Sequence, residues 1–130
     1  MAQPILVEVS AGELIDKLSI LEIKLERLSD PAKLANVRRE YESLRSALRQ
    51  HFADTPELAA LTAELKQTNV ALWEIEDDIR NHERNGDFGA SFVALARSVY
   101  RTNDVRAALK RRINDLLGSA IVEEKSYAEY

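Results

Sequence analysis

Asn69, Glu76, Arg80 and Glu83 continue a helical line that Leu58, Leu61 and Leu65 begin, with Leu72 and Trp73 between them. A polar side chain on an apolar stripe costs stability unless it is paired, and persists where it specifies packing or binds something. A second line behaves in the same way. Phe88, Phe92, Leu95, Ala96 and Val99 lead into Asn103, Arg106 and Lys110 before Ile113 and Leu117 resume the stripe. On a third line, Lys17 and Lys24 share the phase of Leu21 and Leu28, with Asp16 and Ser19 close by. If these lines face one another, Lys17, Lys24, Arg80, Arg106 and Lys110 supply donors suited to a phosphate or carboxylate. Asn69, Glu76, Asp77 and Asn103 suit the hydroxyls of a sugar-like ligand, and Trp73 offers a stacking face.

Plainer accounts stand beside each of these. Glu76 and Arg80 are four apart, the spacing of an ion pair on a half-exposed helix face. Trp73 suits simple core packing. A competing phase through Val105, Leu109, Ile113 and Leu116 would leave Arg106 and Lys110 on the surface. Asp78 and His82 are also four apart, but two potential ligands do not make a metal site. Glu74, Glu76, Asp77 and Asp78 crowd one segment instead of facing each other from two helices. No phosphate loop, dinucleotide fingerprint or nucleophile triad can be read, so no cofactor and no metal are expected.

The elements that must position these residues are helices. Ser10-Ala11-Gly12-Glu13 has the form of a capping box, and a first helix, expected to be central, should run to about Ser29 along Leu14, Leu18, Leu21, Leu25 and Leu28. Asp30-Pro31 opens a second helix to about Gln50, with Leu34, Val37, Tyr41, Leu44 and Leu48 inward. Thr55-Pro56 opens a long third helix that Asn85-Gly86 ends. A fourth runs from about Phe88 to Leu117, with a bend expected at Arg101 to Asp104, where Thr102 or Asn103 resembles a fresh cap. Ile5 to Val9 reads as a short extended run. The tail from Ala120 to Tyr130 reads as irregular or weakly helical, docked by Tyr127 and Tyr130. The fold class expected is all-α: one domain over residues 1–130, an antiparallel bundle of about four helices.

Composition supports this. Only four glycines and three prolines are present, fewer turn residues than most all-β chains need. The absence of cysteine excludes disulfides and thiolate chemistry and fits a reducing compartment. A net charge of −4 opposes general nucleic-acid binding, which runs on lysine and arginine. The first residues lack the pattern of a signal peptide, and no stretch approaches the roughly 20 apolar residues of a membrane span. A cytoplasmic location is expected.

Glu13 to Lys24, the set Asn69, Leu72-Trp73, Glu76-Asp77 and Arg80, the run Ala96 to Tyr100 with Asn103-Asp104 and Arg106, and the ending Glu123 to Tyr127 resemble an uncharacterised bacterial family of short helical proteins. A second uncharacterised family is distantly similar, sharing Asp-Lys with a later lysine, then Leu-Trp with Glu-Asp and Arg, then Asn and Arg. The first resemblance spans nearly the whole chain. It implies an association with glycosyltransferases and cell-surface polysaccharide genes, and names no reaction. The first reading is therefore a helical ligand-binding or accessory protein taking an anionic, phosphorylated or nucleotide-linked sugar. A second is an all-helical enzyme of the chorismate mutase type, which holds a dicarboxylate among arginines, a lysine and a glutamate; that family's motif spacing is not found. A third is an interaction module in which the long third helix forms a homodimer.

Overall fold

A computed structural model describes residues 2–130. Four helices follow one another: α1 (Ala11–Arg27), α2 (Pro31–His51), α3 (Pro56–Asn85) and α4 (Ala90–Leu117). No strand occurs among the described residues. The chain is all-α, as its patterning predicts.

Local chemistry sets most of the boundaries. The Ser10 hydroxyl accepts from the Glu13 amide at 3.1 Å, although the Glu13 carboxylate turns away to lysines and leaves the capping box half made. Asp30 and Thr55 cap α2 and α3 ahead of first-turn prolines. Gly86 ends α3 in the left-handed conformation at φ 66°, which costs glycine nothing. Two boundaries differ from the sequence expectation. Phe88 lies outside α4, which starts after Gly89, and α4 runs unbroken through Arg101 to Asp104. Residues that favour caps are tolerated inside a helix when tertiary contacts occupy them, as the tail does here for Asp104.

α1 is the central element. It packs against α2, α3 and α4, while α2 approaches no helix backbone but α1. α1 runs parallel to α3, since Asp16 reaches Asn69 and Arg27 reaches Glu74. It runs antiparallel to α4: Gly12 meets Asn114, Glu13 meets Lys110 and Asp16 meets Arg106. Ala11, Ile15, Leu58, Leu61, Leu65, Leu109 and Ile113 form the core, with Leu48, Phe52 and Leu117 packed on it. Its seven buried side chains are worth roughly 1.5–3 kcal/mol each for the larger ones.

At 17 residues α1 is about 26 Å long, against about 45 Å for the 30-residue α3. Burial follows that mismatch. α3 has no buried residue after Asn69, and α4 has none before Leu109. The outer half of the α3–α4 hairpin thus extends past the core. Residues 2–9 form neither helix nor strand and are exposed, with Ile5 and Leu6 in solvent. The tail is irregular. Tyr130 donates to the Asp104 carboxylate at 2.6 Å and meets the Tyr100 ring edge-on, whereas Tyr127 is mostly exposed, with the Lys125 ammonium 5.3 Å from its ring centre.

Candidate functional site

The site grows from a line on α1 that the leucine stripe does not include. Gly12, Asp16, Ser19 and Ile23 recur at helical spacing, and all four are buried. Asp16 is 1% exposed, so its charge needs partners. Arg106 of α4 grips both carboxylate oxygens, through Nε to Oδ1 at 3.0 Å and through Nη2 to Oδ2. Asn69 of α3 donates to Oδ1 at 2.9 Å and to the Ser19 hydroxyl at 2.7 Å, and Ser19 donates to the Asp16 carbonyl at 2.8 Å. Lys110 stands 4.0 Å from Oδ2 and binds Glu13 at 2.6 Å. The hydrogen bonds that Arg106 donates to Asp16 raise its pKa further above its already high value, outweighing burial, so the guanidinium stays charged. A fork grip that uses Nε and Nη2 leaves Nη1 without a protein acceptor among the described residues.

Two clefts flank Arg106. The smaller, about 340 Å³, lies where α1 ends; Ile20, Ile23, Asn69, Leu72, Trp73, Glu76, Asp77 and Arg106 line it. The larger, about 1130 Å³, lies between α4 and the tail. Asn103, Asp104, Arg106 and Lys110 line it from the helix, and Lys125, Tyr127 and Tyr130 line it from the tail. Lys125 is paired with Asp104 across it.

The polar residues read from the sequence are therefore divided. Asn69, Trp73, Glu76 and Asp77 share one cleft, Asn103 and Lys110 share the other, and Arg106 belongs to both. Lys17, Lys24 and Arg80 line neither. Lys17 pairs with Glu13 at 3.7 Å, and Arg80 pairs with Glu76 at 3.5 Å with its side chain 78% exposed. On α4 the inward line passes through Arg106, Leu109, Lys110 and Ile113, while Val105 and Leu116 of the competing phase are exposed. His82 is spent on the Asp78 carbonyl and Ser91, not on the Asp78 carboxylate. The sequence reading omitted Asp16 from the site, and with it Glu13, Asp104, Lys125, Tyr127 and Tyr130. A signal for Asp16 existed in the phase of Gly12, Ser19 and Ile23.

A family model matches residues 5–130. The chain belongs to DUF6165, a family of unknown function. No curated protein and no solved structure matches it. No helix among the described residues is long and apolar enough to cross a membrane.

The tail that walls the larger cleft is also tied to the start of α1. Ser119 accepts from the Ala11 amide at 3.2 Å, Asn114 from the Gly12 amide at 2.6 Å, and Ser10 donates to the Glu123 carboxylate at 2.6 Å. The free amides of a helix start are thus satisfied by side chains more than a hundred residues away, with a carboxylate beside the positive dipole end. Burial pushes the Glu123 carboxyl up, but Ser10, its own backbone amide, Lys110 and Asn114 together outweigh that and hold it below its usual 4.5. Asp104 is also held low, by Lys125 and then Tyr130. A carboxyl lowered by folding stabilises above its unfolded pKa, and that contribution is lost as pH falls through the folded value. Docking of the tail should therefore be constant near neutrality and weaken in acid. In an NMR titration, the Glu123 carboxyl carbon, assigned by its loss in Glu123→Gln, should move with a midpoint below 4.5. A midpoint at or above that value would contradict the docking described.

Proposed function

We propose that the protein binds an anionic, hydroxyl-bearing small molecule, a phosphorylated or nucleotide-linked sugar of bacterial surface-carbohydrate metabolism, in the cleft between α4 and the tail. The observation that carries this reading is the mixture of groups on that one surface. Arg106, Lys110 and Lys125 converge there with Asn103, beside Tyr100, Tyr127 and Tyr130.

Each cation already has a carboxylate: Asp16 for Arg106, Glu13 for Lys110 and Asp104 for Lys125. The cleft is thus not a bare positive patch of the kind that draws polyanions. It pairs donors with acceptors, and a polyol needs both. Asp104 can accept from sugar hydroxyls, Asn103 can both accept from and donate to them, and the tyrosine rings offer apolar faces with polar tips. The anionic group fits at the free Nη1 of Arg106 and the ammonium of Lys110, both oriented by buried or half-buried acids.

The test is a thermal-shift panel of nucleotide sugars, sugar phosphates and dicarboxylates against the wild-type protein, Lys125→Ala and Asn103→Ala. Neither side chain holds the core, so both variants should melt near the wild type when unliganded. A ligand of the folded state raises the melting temperature by mass action. Lys125 holds Asp104, which faces the sugar hydroxyls, so removing its ammonium should weaken binding about tenfold in Lys125→Ala, the size of one hydrogen bond to a charged group. Silence across the panel at millimolar concentration would reject this reading.

A further inference from the structure

The smaller cleft, where α1 ends, holds polar groups that take no part in binding a sugar beside the tail. Ile20 and Ile23 of α1 and Leu72 and Trp73 of α3 make its walls apolar. Asn69 stands at one end of it, 5% exposed, and its side-chain amide has only one consistent orientation. The Asp16 carboxylate only accepts, and the Ser19 hydroxyl has given its proton to the Asp16 carbonyl, so both groups bind the Asn69 NH2. The Asn69 Oδ1 receives no donor among the described residues. No side-chain oxygen sealed from solvent lacks a partner among them, so this one opens onto the cleft that Asn69 lines. A buried asparagine with its amide hydrogens spent and its acceptor open is completed by a donor from outside the chain.

Along α3 the lining groups fall in a definite order. Asn69 lies beside Arg106, since both bind Oδ1 of Asp16. Trp73 is one turn further, and Glu76 and Asp77 close the far end, Asp77 being about 12 Å from Asn69 along the helix. Glu76 is shared with Arg80, whereas Asp77 has no ion-pair partner among the described residues. The order is therefore a cation for a phosphate, an acceptor for a hydroxyl, an aromatic face, and carboxylates that accept from N–H groups. A nucleotide carries its parts in the same order: phosphate, ribose, base ring, polar edge of the base. The carboxylates lie more than a Debye length of roughly 8–10 Å from the phosphate end, so they oppose it little.

We propose that this cleft is a nucleoside subsite: resting on the sugar-binding reading, it makes the ligand of the larger cleft a nucleotide-linked sugar whose phosphates cross Arg106, the one side chain common to both clefts. The base stacks on Trp73 between the aliphatic walls, and a ribose hydroxyl donates to Asn69 Oδ1. Guanine fits the far end best. It presents two adjacent N–H donors, which match the two oxygens of one carboxylate. Uracil presents one N–H between two carbonyl oxygens, which a carboxylate repels.

Trp73 is the single tryptophan of the chain, so its fluorescence reports this cleft alone. GDP-mannose and GDP should quench it, and mannose 1-phosphate should raise the melting temperature without quenching. GDP-mannose should bind about tenfold tighter than mannose 1-phosphate or more, the size of one base–aromatic stack. Trp73→Leu keeps an apolar wall; in titration calorimetry it should lose that advantage and hold mannose 1-phosphate as before. The wild type should prefer GDP over UDP about tenfold or more, the size of a hydrogen bond to a charged group. Glu76→Gln with Asp77→Asn, both at exposed positions, should bind the two equally. Mannose 1-phosphate binding with no gain from the nucleotide, tight GDP-mannose binding without quenching, or an unchanged GDP preference in the double variant would each overturn the subsite and leave the sugar reading standing. Quenching by GDP with no response to mannose 1-phosphate or GDP-mannose beyond that of GDP would keep the subsite and reject the sugar. Silence of every probe would reject both.

Discussion

Asp16→Ala should cost about 3–5 kcal/mol of folding stability, the usual range for breaking one side of a buried ion pair. That is a large part of the roughly 5–15 kcal/mol that holds a domain together. The reason lies in what remains behind. Arg106 keeps its charge, half-buried, without the carboxylate that both Nε and Nη2 were satisfying. Asn69 loses one of its two acceptors in a site 5% exposed. Urea denaturation would read the loss directly as a lower midpoint. A change under 1 kcal/mol would mean that water or a rotated Arg106 replaces the pair at little cost, and the account of the network would be wrong.

A double replacement separates what the pair does for the fold from what it does for the cleft. An apolar pair of similar volume often matches a buried ion pair in stability, because the two desolvation penalties vanish together. Asp16→Leu combined with Arg106→Met should therefore recover much of what Asp16→Ala loses. If Arg106 is held for a ligand, the same variant should fold well and give no thermal shift with any compound that stabilises the wild type. An ion pair that served packing alone would leave the ligand response intact.

Much of the fold was legible because its signals are local. Ser10, Asp30-Pro31, Thr55-Pro56 and Gly86 act on amides and carbonyls within four residues, so the boundaries they set need no tertiary knowledge. α1 carries apolar residues on several faces, which is the composition of a helix covered on several sides, and it packs on all three others. Arg106 and Lys110 were legible as interruptions of a stripe. Their partner was not, since periodicity tells which positions face inward but not which polar group meets which. The leucine line of α1 drew attention to Lys17 and Lys24, whereas the line that meets α4 is Gly12, Asp16, Ser19 and Ile23, small or polar at three of four positions. A hydrophobic stripe marks where apolar area is buried, and a close helix crossing needs small residues instead. Lys17 sits at the edge of the leucine face with its charge in water, the common behaviour of a long cationic side chain. The ties from Ser10 to Glu123 and from Ala11 to Ser119 join the two ends of the chain, and no local pattern records them.

That close crossing makes Gly12→Ala the sharpest single test of the architecture. In an exposed helix interior, alanine is favoured over glycine by about 1 kcal/mol. Here a β-carbon on residue 12 would stand 2.5 Å from the Lys110 carbonyl oxygen and 2.9 Å from Asn114 Oδ1. The first of these is backbone of α4, anchored by Leu109 and Ile113 in the core, so it cannot give way alone. α1 must lift away from α4. Overpacking of this kind costs about 1–3 kcal/mol. The lift also stretches the bond between the Gly12 amide and Asn114, which is 3% exposed, and a buried group left unsatisfied costs about 1–3 kcal/mol more. The expected result is a loss of several kcal/mol where propensity alone forecasts a gain. Gly86→Ala is the control, since nothing lies within 4 Å of its β-carbon and only the strain of φ +66° opposes it, about 1–2 kcal/mol. Because Asp16 lies one turn along from Gly12, the lift should also loosen the Arg106 grip and weaken any ligand held beside it. An alanine variant as stable as the wild type would place α1 too far from α4 for Arg106 to grip both oxygens of Asp16.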